Sequence, residues 1–322
     1  MPSLRSHIII AEEILNSLES KELQSLIREE LPLYYLGAIF PDIFYYNLRG
    51  ELLALGDLLH DSQRPNSEKT IKRMFEEITT LPCCDKEKSV FVFGLLTHIA
   101  AEQIFHPAVY YFTGNADDPN PKEKMLSVAA HRHFEMLLDL CLMKIMNKKL
   151  KDLDLAKLFK SPRQKRDRIF RFFAANLAGA SATSEEKVFK TINKAYAVLL
   201  VLNRLFCNRF CYYLMKAFNV LSRRRLDQYF RLFYPPRIIT WHAIFDTYFS
   251  YKNPITGQEA VTSMWQLKEE ARAFGASVLN KAYEYIFRRE EAVVFYGTIY
   301  KYLSVGEMKY FYKIRFHEKM EM

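Results

Sequence analysis

The sequence is poor in the residues that form turns. Its 322 residues include only 10 glycines and 12 prolines, about 7% of the chain, where average usage is roughly 12%. This scarcity argues against a protein built from many short strands. Half of the residues are hydrophobic and 26% are charged, as is typical of a folded globular protein. The composition therefore predicts a protein that is mostly α-helical.

Cysteines are also few, and they are irregularly placed. The five are Cys83, Cys84, Cys141, Cys207 and Cys211. An odd number that includes one adjacent pair is a poor disulfide framework, and no pair has the spacing of a zinc knuckle. We therefore expect the protein to occupy a reducing compartment.

Long hydrophobic runs are scarce as well. The first run, residues 8–11, leads directly into Glu12 and Glu13, unlike the apolar region of a secretory leader. The longest later run, residues 195–202, is much shorter than the roughly 18 residues that a membrane-spanning helix needs. From both observations we expect a cytoplasmic protein without a transmembrane segment.

Acidic residues become scarce in the second half, so the net charge of +9 is unevenly distributed. Residues 1–140 contain 13 Lys/Arg and 21 Asp/Glu, a net charge of −8. Residues 141–322 contain 33 Lys/Arg and 16 Asp/Glu, a net charge of +17. This asymmetry predicts two functional surfaces, or a metal-rich half beside an anion-facing half. The basic runs at 160–168 and 222–231 suit contact with phosphates or an anionic membrane. A solvated helix face is the more common explanation of such runs.

Hydrophobic periodicity predicts helices along most of the chain. Ser6 caps the first, and the later ones are residues 31–46, 67–79, 90–105, 124–146, 185–220, 223–233, 263–287 and 291–302. We expect Pro41 to interrupt the second helix and Pro107 to end or kink the buried central helix at His106. Residues 114–121 are predicted to be a loop and residues 253–257 a turn.

The basic segment 161–168, which contains a proline, is the predicted boundary between two regions. Residues 1–160 would form a metal-binding helical core. Residues 161–322 would form a basic helical region, either separate or packed on the same core.

Histidine and carboxylate residues recur at helical spacing in the first half. His98, Glu102 and His106 are four residues apart, which places them on one stripe of a helix. His131 and Glu135 repeat this step on the next long helix. Imidazole and carboxylate groups that face each other from neighbouring helices suit a zinc site. A single stripe would more often be structural, but two within forty residues favour metal binding.

Nearby residues extend the pattern. The pair His60-Asp61 offers further ligands, and Asp139 continues the stripe of the second helix, where it could hold a ligand histidine by a hydrogen bond. His133 lies about 200° around that helix from His131 and is therefore predicted not to be a ligand.

Taken in order, these motifs resemble the zinc-dependent phospholipase C family, whose fold is shared with the S1/P1-type nucleases. The matching elements are His7, Pro41-Asp42, His60, Gly94-Leu95-Leu96-Thr97-His98 with Glu102 and His106-Pro107, and His131 to Glu135. They extend over about residues 7–139. The resemblance implies an all-α fold, a multi-helix phospholipase C/P1 nuclease-like bundle with a helical C-terminal extension.

The resemblance also implies how the metal ligands are grouped. One zinc site would use Asp42, His60, His98 and Glu102, a second His106, His131 and Glu135, and a third His7 together with a bridging Glu102. The family has Asp at the position of Glu102, which is one methylene longer. Secreted members complete the third site with the amino group of an N-terminal Trp, and here six residues precede His7. Two Zn²⁺ ions are therefore expected, and the third is left open.

The implied activity is phosphodiester hydrolysis of the phospholipase C type by metal-activated water, with Asp42 as the catalytic general base or water-orienting residue. The substrate would be a phospholipid or another phosphodiester, with peripheral contact to an anionic membrane. Two alternatives remain: a nuclease on the same scaffold, and a non-catalytic helical protein with degenerate metal sites. Nucleic acid is the less expected partner. Nuclease relatives tend to be secreted and disulfide-bonded, and neither property is expected of this protein.

Overall fold

The computed structural model describes residues 4–46, 65–80, 85–116, 118–179, 183–236, 245–288 and 310. Within these ranges the chain is mostly helical, and the prediction of an all-α fold is confirmed. The helices are α1 (Leu4–Ser17), α2 (Lys21–Glu29), α3 (Leu31–Ile39), α4 (Pro65–Thr80), α5 (Lys86–Thr113), α6 (Pro121–Ile145), α7 (Leu155–Leu158), α8 (Arg163–Ala178), α9 (Glu185–Phe206), α10 (Arg209–Leu221), α11 (Asp227–Phe230) and α12 (Met264–Arg288). Short 3₁₀ helices cover Phe40–Tyr46 and Leu150–Leu153.

The central element of the bundle is α5, which is apolar on nearly every side and buried along most of its length. Asp85 caps its first turn by accepting a hydrogen bond from the Lys88 amide, and Gly114, with φ of 80°, ends it. Pro107 was predicted to end or kink this helix at His106, and it does not end it. The helix continues to Thr113, because the packing of buried residues such as Val109 outweighs the one amide bond that proline removes.

The same helix bears on the expectation that the protein has no transmembrane segment, which stays a prediction. By length and composition α5 is able to cross a membrane, a test that the buried helix of a soluble bundle also passes. In this fold 83% of its most apolar window is buried inside the protein.

Two glycines allow α3 and α5 to cross in close contact. A Cβ atom added to Gly94 would overlap the carbonyl oxygen of Tyr34, and one added to Gly37 would overlap that of Phe91. Only glycine fits there, since a side chain would push the two backbones apart. The crossing places the 3₁₀ helix that follows α3 beside the next turn of α5.

We expect Gly94→Ala to lower the free energy of unfolding by about 1 to 3 kcal/mol or more, because the added methyl group meets rigid backbone. Gly179→Ala is the control. There the added atom would meet the guanidinium group of Arg73, the movable end of a flexible side chain. Urea denaturation followed by circular dichroism measures both variants. Equal stability of Gly94→Ala and the wild type would contradict the proposed backbone contact.

Helices from the second half of the chain complete the core around the first. The long helix α12 packs on α1 and α5. Lys268 of α12 binds Glu13 at 2.9 Å, and Gly275 lies directly against Ile14. In the same core Phe173 of α8 packs on Phe40. The division of the chain at residue 160 stays a prediction.

Several boundaries in the second half differ from the predictions. Most of the segment 161–168, the predicted boundary, is helical, because α8 begins at Arg163. The helix predicted at 185–220 is two helices, since Asn208 interrupts it and caps α10 by accepting hydrogen bonds from two amides. Of residues 223–233 only Asp227–Phe230 form a helix, because Arg223 and Arg224 have φ of 54° and 62° and end the preceding one.

The one sheet found in the described residues was not predicted. Strands β1 (Phe249–Lys252) and β2 (Glu259–Thr262) pair antiparallel, with Phe249 opposite Thr262. The predicted turn at 253–257 is confirmed as their connection. The helix predicted at 291–302 lies outside the described residues. Of the five cysteines, Cys141, Cys207 and Cys211 are described, and all three are free thiols.

Candidate metal centre

Seven of the eight predicted ligands converge in the interior of the bundle. They are His7 of α1, Asp42 of the first 3₁₀ helix, His98, Glu102 and His106 of α5, and His131 and Glu135 of α6. Their side chains are between 0% and 14% exposed. The eighth, His60, lies outside the described residues. Four separate elements therefore bring a set of nitrogen and oxygen donors to one place.

His7, Asp42 and His98 form the first group. One ligand atom from each lies within 4.8 Å of the other two. The two imidazole rings stack with centroids 4.1 Å apart, and the Asp42 carboxylate lies 3.8 Å from the Nε2 atom of each ring. The resemblance assigned His7 to a third site. The structure instead groups it with Asp42 and His98, because α1 packs across α5 at this level.

A backbone carbonyl fixes the orientation of His98. Its Nδ1 atom lies 3.0 Å from the carbonyl oxygen of Ala38 in α3. Because a carbonyl oxygen only accepts, Nδ1 carries the hydrogen, and in a neutral ring the Nε2 lone pair then points towards Asp42. The close crossing of α3 and α5 therefore also sets the histidine tautomer that suits a metal ligand.

His106, His131 and Glu135 form the second group, again with one ligand atom from each within 4.8 Å of the others. The Oε1 atom of Glu135 lies 3.0 Å from Nε2 of His131 and 3.6 Å from Nε2 of His106. These are the three residues that the resemblance placed together.

Glu102 lies between the two groups. Its Oε1 atom is 3.0 Å from Nε2 of His7, and its Oε2 atom is 2.5 Å from Nδ1 of His106. Burial alone would raise the pKa of Glu102, but the charge of His106 and the hydrogen bonds from both histidines lower it well below its usual value. A carboxylate with one oxygen directed at each group has the geometry of a bridging ligand.

The donor set fits zinc. Imidazole nitrogens and carboxylate oxygens are its usual protein ligands besides cysteine, and three buried carboxylates in one place require compensating positive charge. The Nδ1 atom of His7 is buried without a hydrogen-bond partner among the described residues, an unusual state for a buried polar atom. A cavity of about 20 Å³ between His7, Glu102, His106 and Glu135 is large enough for a water-sized occupant.

Asp139 was predicted to hold a ligand histidine, but it bonds to none of the ligand histidines that the structure describes. Its carboxylate accepts hydrogen bonds from the amide and hydroxyl of Ser6, at 2.6 and 2.7 Å, and a short one from the Tyr234 hydroxyl. The stripe on α6 does continue to Asp139, but the first turn of α1 lies there. Ser6, which was predicted to cap α1, is instead inside the helix, which already includes Leu4. Asp139 therefore fixes the backbone immediately before His7.

Arg5, which the sequence analysis did not identify as a functional residue, lies next to Tyr234 in this cluster. It is only 1% exposed, its guanidinium lies 4.4 Å from the centre of the Tyr234 ring, and it donates to Asn203 at 2.8 Å. Burial lowers the pKa of Arg5, but the surrounding anionic and polar groups outweigh this effect and keep the side chain charged. No spacing rule marks such a residue, because its partners come from α6, α9 and residue 234.

Three arginines line a second cavity next to the metal centre. This cavity of about 30 Å³ is bordered by Arg5, Arg132 and Arg231, and Glu135 contributes to its wall. The Nε atoms of Arg5 and Arg132 are buried and have no hydrogen-bond partner among the described residues. A buried guanidinium N–H group without an acceptor can donate a hydrogen bond to an oxygen of a bound anion.

His131→Ala and His133→Ala form a matched pair that tests the ligand assignment. His133 is buried but turned away from both groups, with Nδ1 3.0 Å from an Arg231 nitrogen. We expect His131→Ala to lose about one equivalent of zinc, because it removes one of three donors. His133→Ala should retain the zinc of the wild type. Elemental analysis of the purified variants measures both, and equal zinc loss in the two would refute the assignment.

The comparison with protein families agrees with this geometry. A family model described as zinc dependent phospholipase C matches residues 6–186, more than half of the chain. The match includes every predicted ligand. Comparisons with curated proteins and with solved structures gave no match.

Proposed function

The chain belongs to the zinc-dependent phospholipase C family, and from this membership we propose that it hydrolyses phosphodiesters with bound zinc, with a phospholipid as substrate. The observation that carries the proposal is the pair of donor groups joined by Glu102. Two adjacent groups of this kind are the arrangement that phosphodiester hydrolysis with two metal ions requires.

The ligands divide between two zinc ions. His7, Asp42 and His98 would hold one, His106, His131 and Glu135 the other, and Glu102 would contact both. Bound zinc lowers the pKa of a coordinated water towards about 7 and offsets the negative charge of the phosphodiester.

Asp42 is the proposed catalytic residue. It is fully buried, and its two oxygens each lie 3.8 Å from a histidine of the first group. In that position the carboxylate can orient a water molecule and accept its proton while it also serves as a ligand. The hydrogen bond from His98 to Ala38 keeps the neighbouring ring fixed during this transfer.

The substrate would approach from the side of the second group. The side chains of His106 and His131 are 13% and 14% exposed, whereas those of the other described ligands are below 10%. Arg132 follows His131 directly, and together with Arg231 it borders the arginine-lined cavity. These guanidinium groups are suited to hold the phosphate oxygens of an anionic substrate.

Metal analysis followed by substrate assays tests the proposal. Protein purified without chelators should contain about two equivalents of zinc and should cleave phosphatidylcholine and a chromogenic phosphodiester but spare single-stranded DNA. Treatment with a chelator should abolish cleavage, and added zinc should restore it. Preferred cleavage of DNA that weakens steeply with salt would indicate a nuclease. Absence of zinc would favour a non-catalytic protein.

A further inference from the structure

Helix α10 directs an apolar face towards solvent. The face consists of Phe210, Tyr213, Leu214, Ala217, Phe218 and Leu221, at spacings of three and four. Phe210 is 74%, Phe218 52% and Leu221 78% exposed. A helix on the surface of a soluble domain normally buries its apolar stripe. An exposed cluster of large apolar side chains of this kind marks an interaction surface.

The opposite side of the helix makes its contacts with the fold. Tyr212 and Asn219 are the buried residues of α10 and lie about 180° from the apolar face. Tyr212 packs on Phe230, with ring centroids 5.3 Å apart, and Asn219 donates to Asp227 at 3.0 Å. The helix is therefore attached to the fold through the side that carries Tyr212 and Asn219. Its apolar face is directed away from the described part of the chain.

Positive charge surrounds this face. Residues 187–226 contain nine Lys/Arg and no Asp or Glu. Those exposed on and around α10 are Arg204, Arg209, Lys216, Arg223, Arg224 and Arg225. An exposed apolar stripe flanked by basic side chains is the pattern of helices that lie in the interface of an anionic membrane.

The face is also linked to the more exposed side of the metal centre. Helix α11, which follows α10, packs on α6, where the carbonyl oxygen of Gln228 accepts a hydrogen bond from Arg132 at 3.0 Å. Tyr229, 49% exposed, lies over the same guanidinium group. A partner bound at α10 would thus lie next to the helix that carries His131 and Glu135.

We propose that α10 docks the protein on a membrane that contains anionic phospholipids. Phe210, Phe218 and Leu221 enter the boundary between head groups and acyl chains, and the surrounding Lys and Arg side chains bind lipid phosphates. This inference rests on the proposed function, because docking brings the metal centre to its phospholipid substrate. A second copy of the chain fits less well, since a symmetric contact would bring the same basic residues together. Nucleic acid would leave the aliphatic side chains without a role.

Vesicle flotation with the zinc-loaded full chain tests the docking surface. Vesicles of phosphatidylcholine with phosphatidylserine should bind the wild type more tightly than phosphatidylcholine alone, and salt should weaken binding. The double variant Phe218→Glu/Leu221→Glu should bind at least about tenfold more weakly, since it places charge where apolar contact is needed. Lys216→Gln/Arg225→Gln should reduce binding to the anionic vesicles by about fivefold for each charge removed. Val261→Glu is the control, because it adds a charge at a residue of β2 that is 71% exposed and lies outside α10. It should bind the vesicles as the wild type does.

Several results would overturn the docking surface. One is unchanged vesicle binding in Phe218→Glu/Leu221→Glu. Another is a wild-type dimer in sedimentation analysis that this variant dissociates, and a third is loss of binding to single-stranded DNA rather than to vesicles. Hydrolysis of a soluble chromogenic phosphodiester should be the same in all variants. A wild type that binds anionic vesicles but hydrolyses no phosphodiester would refute the proposed function and leave the docking surface intact.

Discussion

Glu102→Ala should remove zinc and hydrolysis together. The side chain faces both donor groups, so its loss removes a charged ligand from each and leaves His7 and His106 without their nearest carboxylate partner. Removing a residue that only hydrogen-bonds to a metal ligand already lowers metal affinity or activity by about 10 to 100-fold. We expect a larger loss for a residue that contacts both metal sites. Zinc content and the hydrolysis rate measured on one preparation test this.

Two further variants make the result specific. Glu102→Asp should retain hydrolysis, because Asp is the residue that the family has at this position. Gln103→Ala, the neighbouring position on α5, should leave zinc content unchanged. If Glu102→Ala kept its full zinc content and lost only about 1 to 3 kcal/mol of stability, Glu102 would be a buried ion-pair partner and not a ligand.

Asp139→Ala should cost about 3 to 5 kcal/mol of folding free energy. Its removal deprives three buried donors of their acceptor, the amide and hydroxyl of Ser6 and the hydroxyl of Tyr234, at about 1 to 3 kcal/mol for each unpaired group. It also removes a negative charge near the buried Arg5. Because Ser6 precedes His7, the first donor group should lose its zinc while the second keeps it. Chemical denaturation and zinc analysis of the same variant measure the two effects.

Asp139→Asn and Tyr234→Phe are the controls for this result. Asparagine retains one acceptor oxygen, and phenylalanine removes a single hydroxyl donor from Asp139. Both should lose less stability than Asp139→Ala and keep more zinc. If Asp139→Ala were as stable as the wild type, the anchoring role of this carboxylate would be wrong.

The sequence was most informative where the geometry is local. Steps of four on a helix place His98, Glu102 and His106 on one side of α5 whatever surrounds them. The same holds for His131 and Glu135 on α6. The long central helix and the break at Pro41 follow from similarly short-range rules.

Features that depend on tertiary contacts could not be predicted in this way. The grouping of His7 with Asp42 and His98 depends on where α1 docks, and nothing within α1 specifies that. The helical spacing shows that Asp139 lies on the same stripe as His131 and Glu135, and this suggested a histidine partner. The spacing does not show that Ser6 of α1 packs against it. Pro107 was predicted to end or kink α5 by a local rule, which takes no account of the burial of the residues that follow it as far as Thr113.

The contact between α12 and α1 limits how the candidate metal centre could be separated from the rest of the protein. The family match ends at residue 186, yet the helix that carries His7 is held by Lys268 and Gly275 from far beyond that point. A fragment cut at the end of the match would expose the apolar side of α1 and lose the restraint on its first donor group. The candidate metal centre therefore cannot be transferred to another protein as residues 6–186 alone. An effort to minimise or graft it has to carry α12 along, either covalently or as a separately supplied peptide.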